Sequence, residues 1–367
     1  MNTRKTEKTT NSRLFNKGIL PVAVATAMFG AGVASAADFY LTNDATIDNQ
    51  TGGNATTNYI VNQNATLSTN GSMSVYYGTI DGQGGVASGR GGTVTIGGSL
   101  TMHGNIGATN ATGNFTISEW NSLTLASNVS TFNSDNMTLS DNTVLNFGNV
   151  TSGYNRGSSE TLTFASNITM GSNSTINVGN GTTLNGNIYG TAGTLNVLGN
   201  FTSTGSIGAA QVDGADFITS GLEQINISKG NTFTLNNNAT ATRMNINGTV
   251  TVAGNITAAV TMGADGILNL NNESGDDNAA KVVGAIQSYV AGTAQGTLNI
   301  NGTFTTQGAI GQGGKGLAAI NLSNSTWANG FTTTFAHNVN ATTIQIGTAT
   351  TQNNATLQIT AGGTSEG

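Results

Sequence analysis

Short stretches in which polar and apolar residues alternate recur along the whole chain. Thr93-Val94-Thr95-Ile96, Ser122-Leu123-Thr124-Leu125, Thr143-Val144-Leu145-Asn146-Phe147, Thr161-Leu162-Thr163-Phe164, Thr232-Phe233-Thr234-Leu235 and Thr343-Ile344-Gln345-Ile346 all do so. A period of two puts every second side chain on one side of an extended strand, and these segments favour β-branched and aromatic residues. Tracts of Gly, Asn, Asp and Ser separate them and supply turns. Some helical spacing is confined to Asp277 to Tyr289, where Ala279, Ala280, Val282, Val283 and Ile286 fall near one side, and it falls short of predicting a helix. The pattern predicts an all-β chain.

The alternation is itself repeated. Gly92 to Gly107 reads GTVTIGGSLTMHGNIG, Gly193 to Gly208 reads GTLNVLGNFTSTGSIG, and Gly296 to Gly311 reads GTLNINGTFTTQGAIG, so successive copies begin 101 and 103 residues apart. Upstream, Ala65-Thr66-Leu67, Ile168-Thr169-Met170 and Val260-Thr261-Met262 correspond. Downstream, Phe115 to Ser118, Ile225 to Ser228 and Ile320 to Ser323 correspond. The chain therefore divides into a cap or linker over 37–64 and a repetitive region over 65–367, with blocks starting near 65, 168 and 260 and a truncated one at 355. A sandwich or propeller would show its own period and need more aromatic filling. A right-handed parallel β-helix (β-solenoid) accommodates short strands, small inward residues and stacked Asn, Thr and aliphatic ladders. At roughly 20 to 25 residues per coil, each block supplies about four or five coils. About 14 coils at roughly 4.8 Å each extend some 70 Å.

Composition changes the picture at the N-terminus. Residues 1–17 carry Arg4, Lys5, Lys8, Arg13 and Lys17 against Glu7, and Gly18 to Ala37 is an uncharged apolar run ending in Ala34-Ser35-Ala36. A basic head, an apolar centre and a small-x-small site predict a secretory signal peptide over 1–36, cleaved between Ala36 and Ala37. The competing reading of such a run is a membrane anchor. Cleavage leaves six basic residues against sixteen acidic ones, a net charge of about −10. Nucleic acid and anionic lipid need clustered positive charge, so neither is an expected partner. With no cysteine in an exported chain, stability has to come from backbone pairing and a continuous apolar seam.

Candidate chemistry is sparse. His103 and His337 are the only histidines, no Gly-x-Ser-x-Gly elbow occurs, and His103 stands where the other copies have Thr204 and Gln307. Asp213 with Asp216, and Glu273 with Asp276 and Asp277, are the carboxylate groupings a glycosidase or lyase would use, and they read equally as solvated loop acids. Gly82-Gln83-Gly84-Gly85 lacks the Asp of a calcium-binding nonapeptide. Catalytic, cofactor and metal sites are therefore each expected to be none. Asn-x-Ser/Thr triplets at Asn54, Asn64, Asn114, Asn167, Asn200, Asn226, Asn255, Asn301 and Asn340 read as ladder residues generated by the alternation. Trp120, Tyr154, Tyr189, Tyr289 and Trp327 are scattered. Trp327 aligns with Phe233 and reads as core, while the others read as core or as exposed platforms on which sugars stack.

A long-headed signal peptide followed by a Cys-free mature chain of imperfect Gly/Asn/Thr/Ser-rich β repeats resembles the passenger portion of Gram-negative autotransporters, the type V secretion class. The resemblance implies export, passage through a C-terminal outer-membrane β-barrel, and a β-helical rod on or shed from the cell surface. No run of about ten-residue strands with aromatic girdles is present, so a barrel translocator would be a further part of a longer reading frame. The expected function is structural or adhesive, through attachment or self-association. The expected partners are host or neighbouring-cell surface glycans or proteins, the barrel translocator, and no nucleic acid. The alternative is the stalk of a secreted toxin or carbohydrate-active enzyme whose active part lies elsewhere. An ice- or mineral-binding array is a third reading.

Overall fold

The computed structural model describes residues 38–47, 57–71, 74–84, 91–147, 161–190, 192–209, 221–271, 280–323, 331–347 and 355–359. The signal peptide and its Ala36/Ala37 cleavage site lie outside them. Every regular element among the described residues is a strand, and every strand pairing is parallel. Strands pair with strands one coil earlier and one coil later, which makes the chain a parallel β-helix. It has three faces. The third can be followed inward residue by inward residue through Phe39, Tyr59, Ile80, Ile106, Phe132, Phe164, Leu184, Ser203, Leu235, Val252, Leu270, Ile300, Leu322 and Ile346. These fourteen rungs match the coil number expected from strand spacing. Asp38–Leu41 and Asn58–Val61 pair in this stack, and Ala45–Ile47 pairs with Thr66–Thr69, so these strands are already in parallel register with the coils that follow.

Consecutive rungs on this face lie as few as 17 residues apart, at Leu235 and Val252, and as many as 32, at Phe132 and Phe164 and at Ser203 and Leu235, a wider spread than the expected 20 to 25. The registers Phe132↔Phe164 and Ser203↔Leu235 are kept across these longest steps, so like faces stay stacked whatever the length of the coil. Asp277 to Tyr289 shows why helical spacing misleads. The segment forms strands Ala280–Val283 and Ile286–Ser288, joined at Gly284 with φ +123°. Val282 and Ile286 are both inward because the chain turns a corner between them, which imitates an i, i+4 pair.

The sixteen-residue phrase is one coil. In its first copy Val94, Met102 and Ile106 lie on the first, second and third faces. In the second copy Leu195, Ser203 and Ile207 lie on the second, third and first. In the third copy Leu298, Thr306 and Ile310 lie on the third, first and second. Between copies the chain climbs Val94, Phe115, Met137, Ile168 and Ile188 on the first face, then moves one face on to Leu195. A block is four coils and one further face.

The glycines of the phrase explain its survival on three faces. A Cβ at Gly104, Gly205 or Gly308 would sit 1.8, 2.1 or 1.9 Å from the carbonyl oxygen of Gly78, Gly186 or Gly284 one coil below. The closing Gly107, Gly208 and Gly311 have φ of +63°, +68° and +71°, where an L side chain is strained. Each corner thus turns on one glycine that lets coils touch and another that reverses the backbone.

Inside, apolar residues fill the alternate positions with almost no solvent exposure. Phe132 and Phe164 stack at 4.2 Å between ring centroids with 6° between planes, Phe147 leans on Phe164 at 4.6 Å, and Phe201 stacks on Phe233 at 5.2 Å. Parallel in-register pairing puts like side chains about 4.8 Å apart, a separation that suits offset-stacked rings.

Candidate binding surface

Outward positions carry the polar ladders. On the second face Asn177 Nδ2 donates to Asn146 Oδ1, Asn196 to Asn177, Asn226 to Asn196 and Asn245 to Asn226, each at 2.8 Å, while Asn146 donates to Thr124 Oγ1 at 3.0 Å. On the third face Asn269 donates to Thr251 Oγ1 at 3.2 Å, Asn299 to Asn269 and Asn321 to Asn299 at 2.8 Å. The Asn ladders run along the outer side of the coil, where an amide is satisfied by its stacked copy and by water, whereas the interior is filled mainly by aliphatic and Phe residues.

Corner carboxylates and amides have a backbone role. Asp44 Oδ1 accepts from Thr66 N at 2.8 Å, Asp81 from Thr109 N at 3.0 Å and Asp141 from Ser172 N at 2.7 Å. Asn105, Asn167, Asn200 and Asn238 accept from the next coil's backbone in the same way, at 2.8 to 3.1 Å. Asn226 is thus a ladder residue, as its triplet suggested, whereas Asn167 and Asn200 hold corners. Asn54 lies outside the described residues.

Among the described residues, the two histidines are not brought together. His103 is half-buried on the second face, stacked on Tyr77 at 4.5 Å, with Nδ1 3.2 Å from Asn128 Oδ1. His337 is at a corner near the other end of the ladders, between Phe335 and Val339. Asp213, Asp216, Glu273, Asp276 and Asp277 lie outside the described residues, as do Gly85, Tyr154 and Trp327. Among the described residues no three His, Cys, Asp or Glu side chains cluster to hold a metal. An ion pair, Lys229 Nζ to Asp265 Oδ2 at 2.8 Å, is exposed, and hydrogen bonding to Asp265, reinforced by its charge, raises the Lys229 pKa.

Among the described residues three aromatic side chains are more than half exposed: Trp120, Tyr289 and, at 62%, Tyr40. Trp120 is 75% exposed and has φ +64°, in a turn whose counterpart Ser228-Lys229-Gly230-Asn231 places Gly230 at φ +77°. Tyr289 is 69% exposed and borders a groove of about 430 Å³. The groove is lined by Asn226, Asn245 and Thr261, which are successive outward rungs of the second face, and by Ser228, Asn247, Gly263 and Tyr289 at the following corner, with Ile227 beneath. Sequence reading picked out Asn226 and Tyr289 separately but missed that they share a site, because they stand 63 residues apart. The coil register is the signal that joins them.

No family model, no curated protein and no solved structure matches the chain. The β-helical, repetitive architecture therefore rests on the ladders themselves.

Proposed function

We propose that this chain is an exported, surface-displayed structural and adhesive β-helix of the autotransporter passenger kind. It acts by attachment to glycans or proteins of host or neighbouring cells, or by self-association, and is brought out by an outer-membrane β-barrel translocator. The observation that carries this reading is the coil-on-coil pairing: among the described residues each coil hydrogen-bonds to its neighbours, through parallel ladders that run from Phe39 to Ile346. Such a chain gains structure one coil at a time as it emerges from a pore, and the lack of cysteine lets it pass unfolded without disulfide reduction. Outward ladders of Asn and Thr give a repeated, uncharged surface suited to many weak contacts.

The test is to express the full reading frame in a Gram-negative host, add protease to intact cells, and score attachment to a glycan-coated and a protein-coated surface. Digestion of the chain on intact cells together with adhesion that vanishes on its deletion is the expected result. A chain protected from protease until the outer membrane is broken sinks the display reading.

A further inference from the structure

The amide ladder of the second face ends at a built recess. Asn226 and Asn245 are bonded at 2.8 Å, Gln224 Nε2 donates to Asn226 Oδ1 at 2.6 Å, and the next outward residue on that face is Thr261, to which the ladder does not continue. One residue past the inward rungs Ile227, Ile246, Met262 and Ser288 stand Ser228, Asn247, Gly263 and Tyr289. Gly263 carries no side chain, and a Cβ there would meet Asn247 Oδ1 at 1.9 Å. The space above it is therefore left to Tyr289. Tyr289 is fixed by its own N–H, which donates to Met262 O at 2.8 Å. The fully buried Ser288 hydroxyl pins the following loop, with bonds to Val290 O at 3.1 Å and Thr293 O at 2.8 Å. An exposed aromatic ring on a pinned backbone is thus set beside a row of amides and a hydroxyl.

We propose that this groove binds a neutral saccharide of one or two rings, with the axial C–H face of one ring on Tyr289 and its hydroxyls on Asn245, Asn247 and Thr261. The chemistry selects that class. Among the described residues no Asp, Glu, Lys, Arg or His lines the groove, and the nearby Lys229 and Asp265 are paired with each other, so a charged ligand finds no free counter-charge. Asn amides offer a donor and an acceptor side by side, which matches vicinal hydroxyls, and a phenol ring offers an apolar face with a polar tip. The volume of about 430 Å³ falls in the range of small-ligand sites. The proposal deepens the adhesive reading and rests on it only for the source of the sugar.

The experiment uses the purified secreted chain and ligand-detected NMR saturation transfer with methyl glucoside, methyl galactoside, methyl N-acetylglucosaminide, cellobiose, lactose and chitobiose. At least one sugar is expected to show saturation concentrated on the protons of one ring face, with dissociation in the millimolar range. Tyr289→Ala is expected to weaken that signal at least tenfold. Tyr289→Trp is expected to retain it, Thr261→Val to weaken it a few-fold, and Tyr77→Ala, at the other exposed tyrosine of the same corner column, to leave it unchanged. Signal that survives Tyr289→Ala, or that Tyr77→Ala removes equally, overturns the proposal, as does silence from all six sugars. If the sugars are silent and Tyr289→Ala instead abolishes concentration-dependent association, the groove seats a second copy of the chain and the proposal is likewise overturned. Loss of sugar binding with cell display intact strikes the groove alone, whereas a protease-protected chain that still binds sugar strikes the display reading alone.

Discussion

The coils around Phe164 and those around Thr306 share one backbone plan and differ in what they enclose. In the central coils Phe132, Phe147 and Phe164 interlock, and Asn146 to Asn245 form an unbroken amide ladder outside. In the later coils the first-face column of Val282 and Phe335 is interrupted by Thr306, and Thr333 stands opposite Phe304. Both hydroxyls are buried without a hydrogen-bond partner. Outside, the third-face ladder passes Asn321 and then Gln345, whose amide turns to Gly347 O at 3.3 Å. Ile344 and Ile346 on that last strand are 40% and 50% exposed. Parallel pairing fixes register in both regions, so register does not depend on a perfect interior. The interior sets how firmly a region holds, and the later coils are expected to open first.

Four substitutions or conditions test that contrast. Phe164→Ala removes the ring shared by two aromatic contacts and should cost about 3 to 5 kcal/mol, read as a fall in the urea midpoint of the central coils. A cost near zero would show that the stack is incidental. Thr306→Val or Thr333→Val replaces an unpartnered buried hydroxyl with a methyl and should add about 2 kcal/mol, slowing amide exchange in the later coils. Faster exchange there would mean that the hydroxyls are satisfied in solution. Asn196→Ala breaks two amide bonds in the central ladder and should cost about 1 kcal/mol, since water replaces much of what is lost.

The mildest test is alkaline. Burial, with the neighbouring Tyr59, pushes the Tyr76 phenol well above its ordinary 10.0, and burial raises Tyr59 as well. A phenol with a raised folded pKa contributes fully below the unfolded value and loses that contribution as pH climbs toward the folded one. The N-terminal coils should therefore keep constant stability up to about pH 10 and weaken above it. The weakening should flatten in Tyr76→Phe, which also gives up the hydroxyl bond to Thr57 O. Alkaline loss that begins in the later coils would count against this assignment.

Much of this was legible in the chain. Thr93–Ile96, Ser122–Leu125 and Thr232–Leu235 are strands at the expected bounds, with the apolar half inward. Leu162–Met170 outruns the segment that the alternation marked, because one strand carries on from the third face to the first and serves both ladders. What alternation cannot reveal is which strand lies over which. Corner lengths vary, so the face on which a given Thr-Leu-Asn-Val lands is set by how many corners precede it, which residue numbers alone do not give. The groove depends on that accumulated phase: Tyr289 meets Gly263 only because the coil between them closes after 26 residues. Trp120 was equally opaque, since nothing local distinguishes its turn from the one that uses Gly230.

The further face left over by each block turns copy number into direction. Duplicating a block lengthens the stack by four coils and also points every copied corner to the neighbouring side. Three blocks return a feature to its starting bearing, and one or two do not. A gene that gains or sheds a single repeat by recombination therefore re-aims everything downstream of the event, and two strains differing by one block would show the same ornaments to different points of the compass.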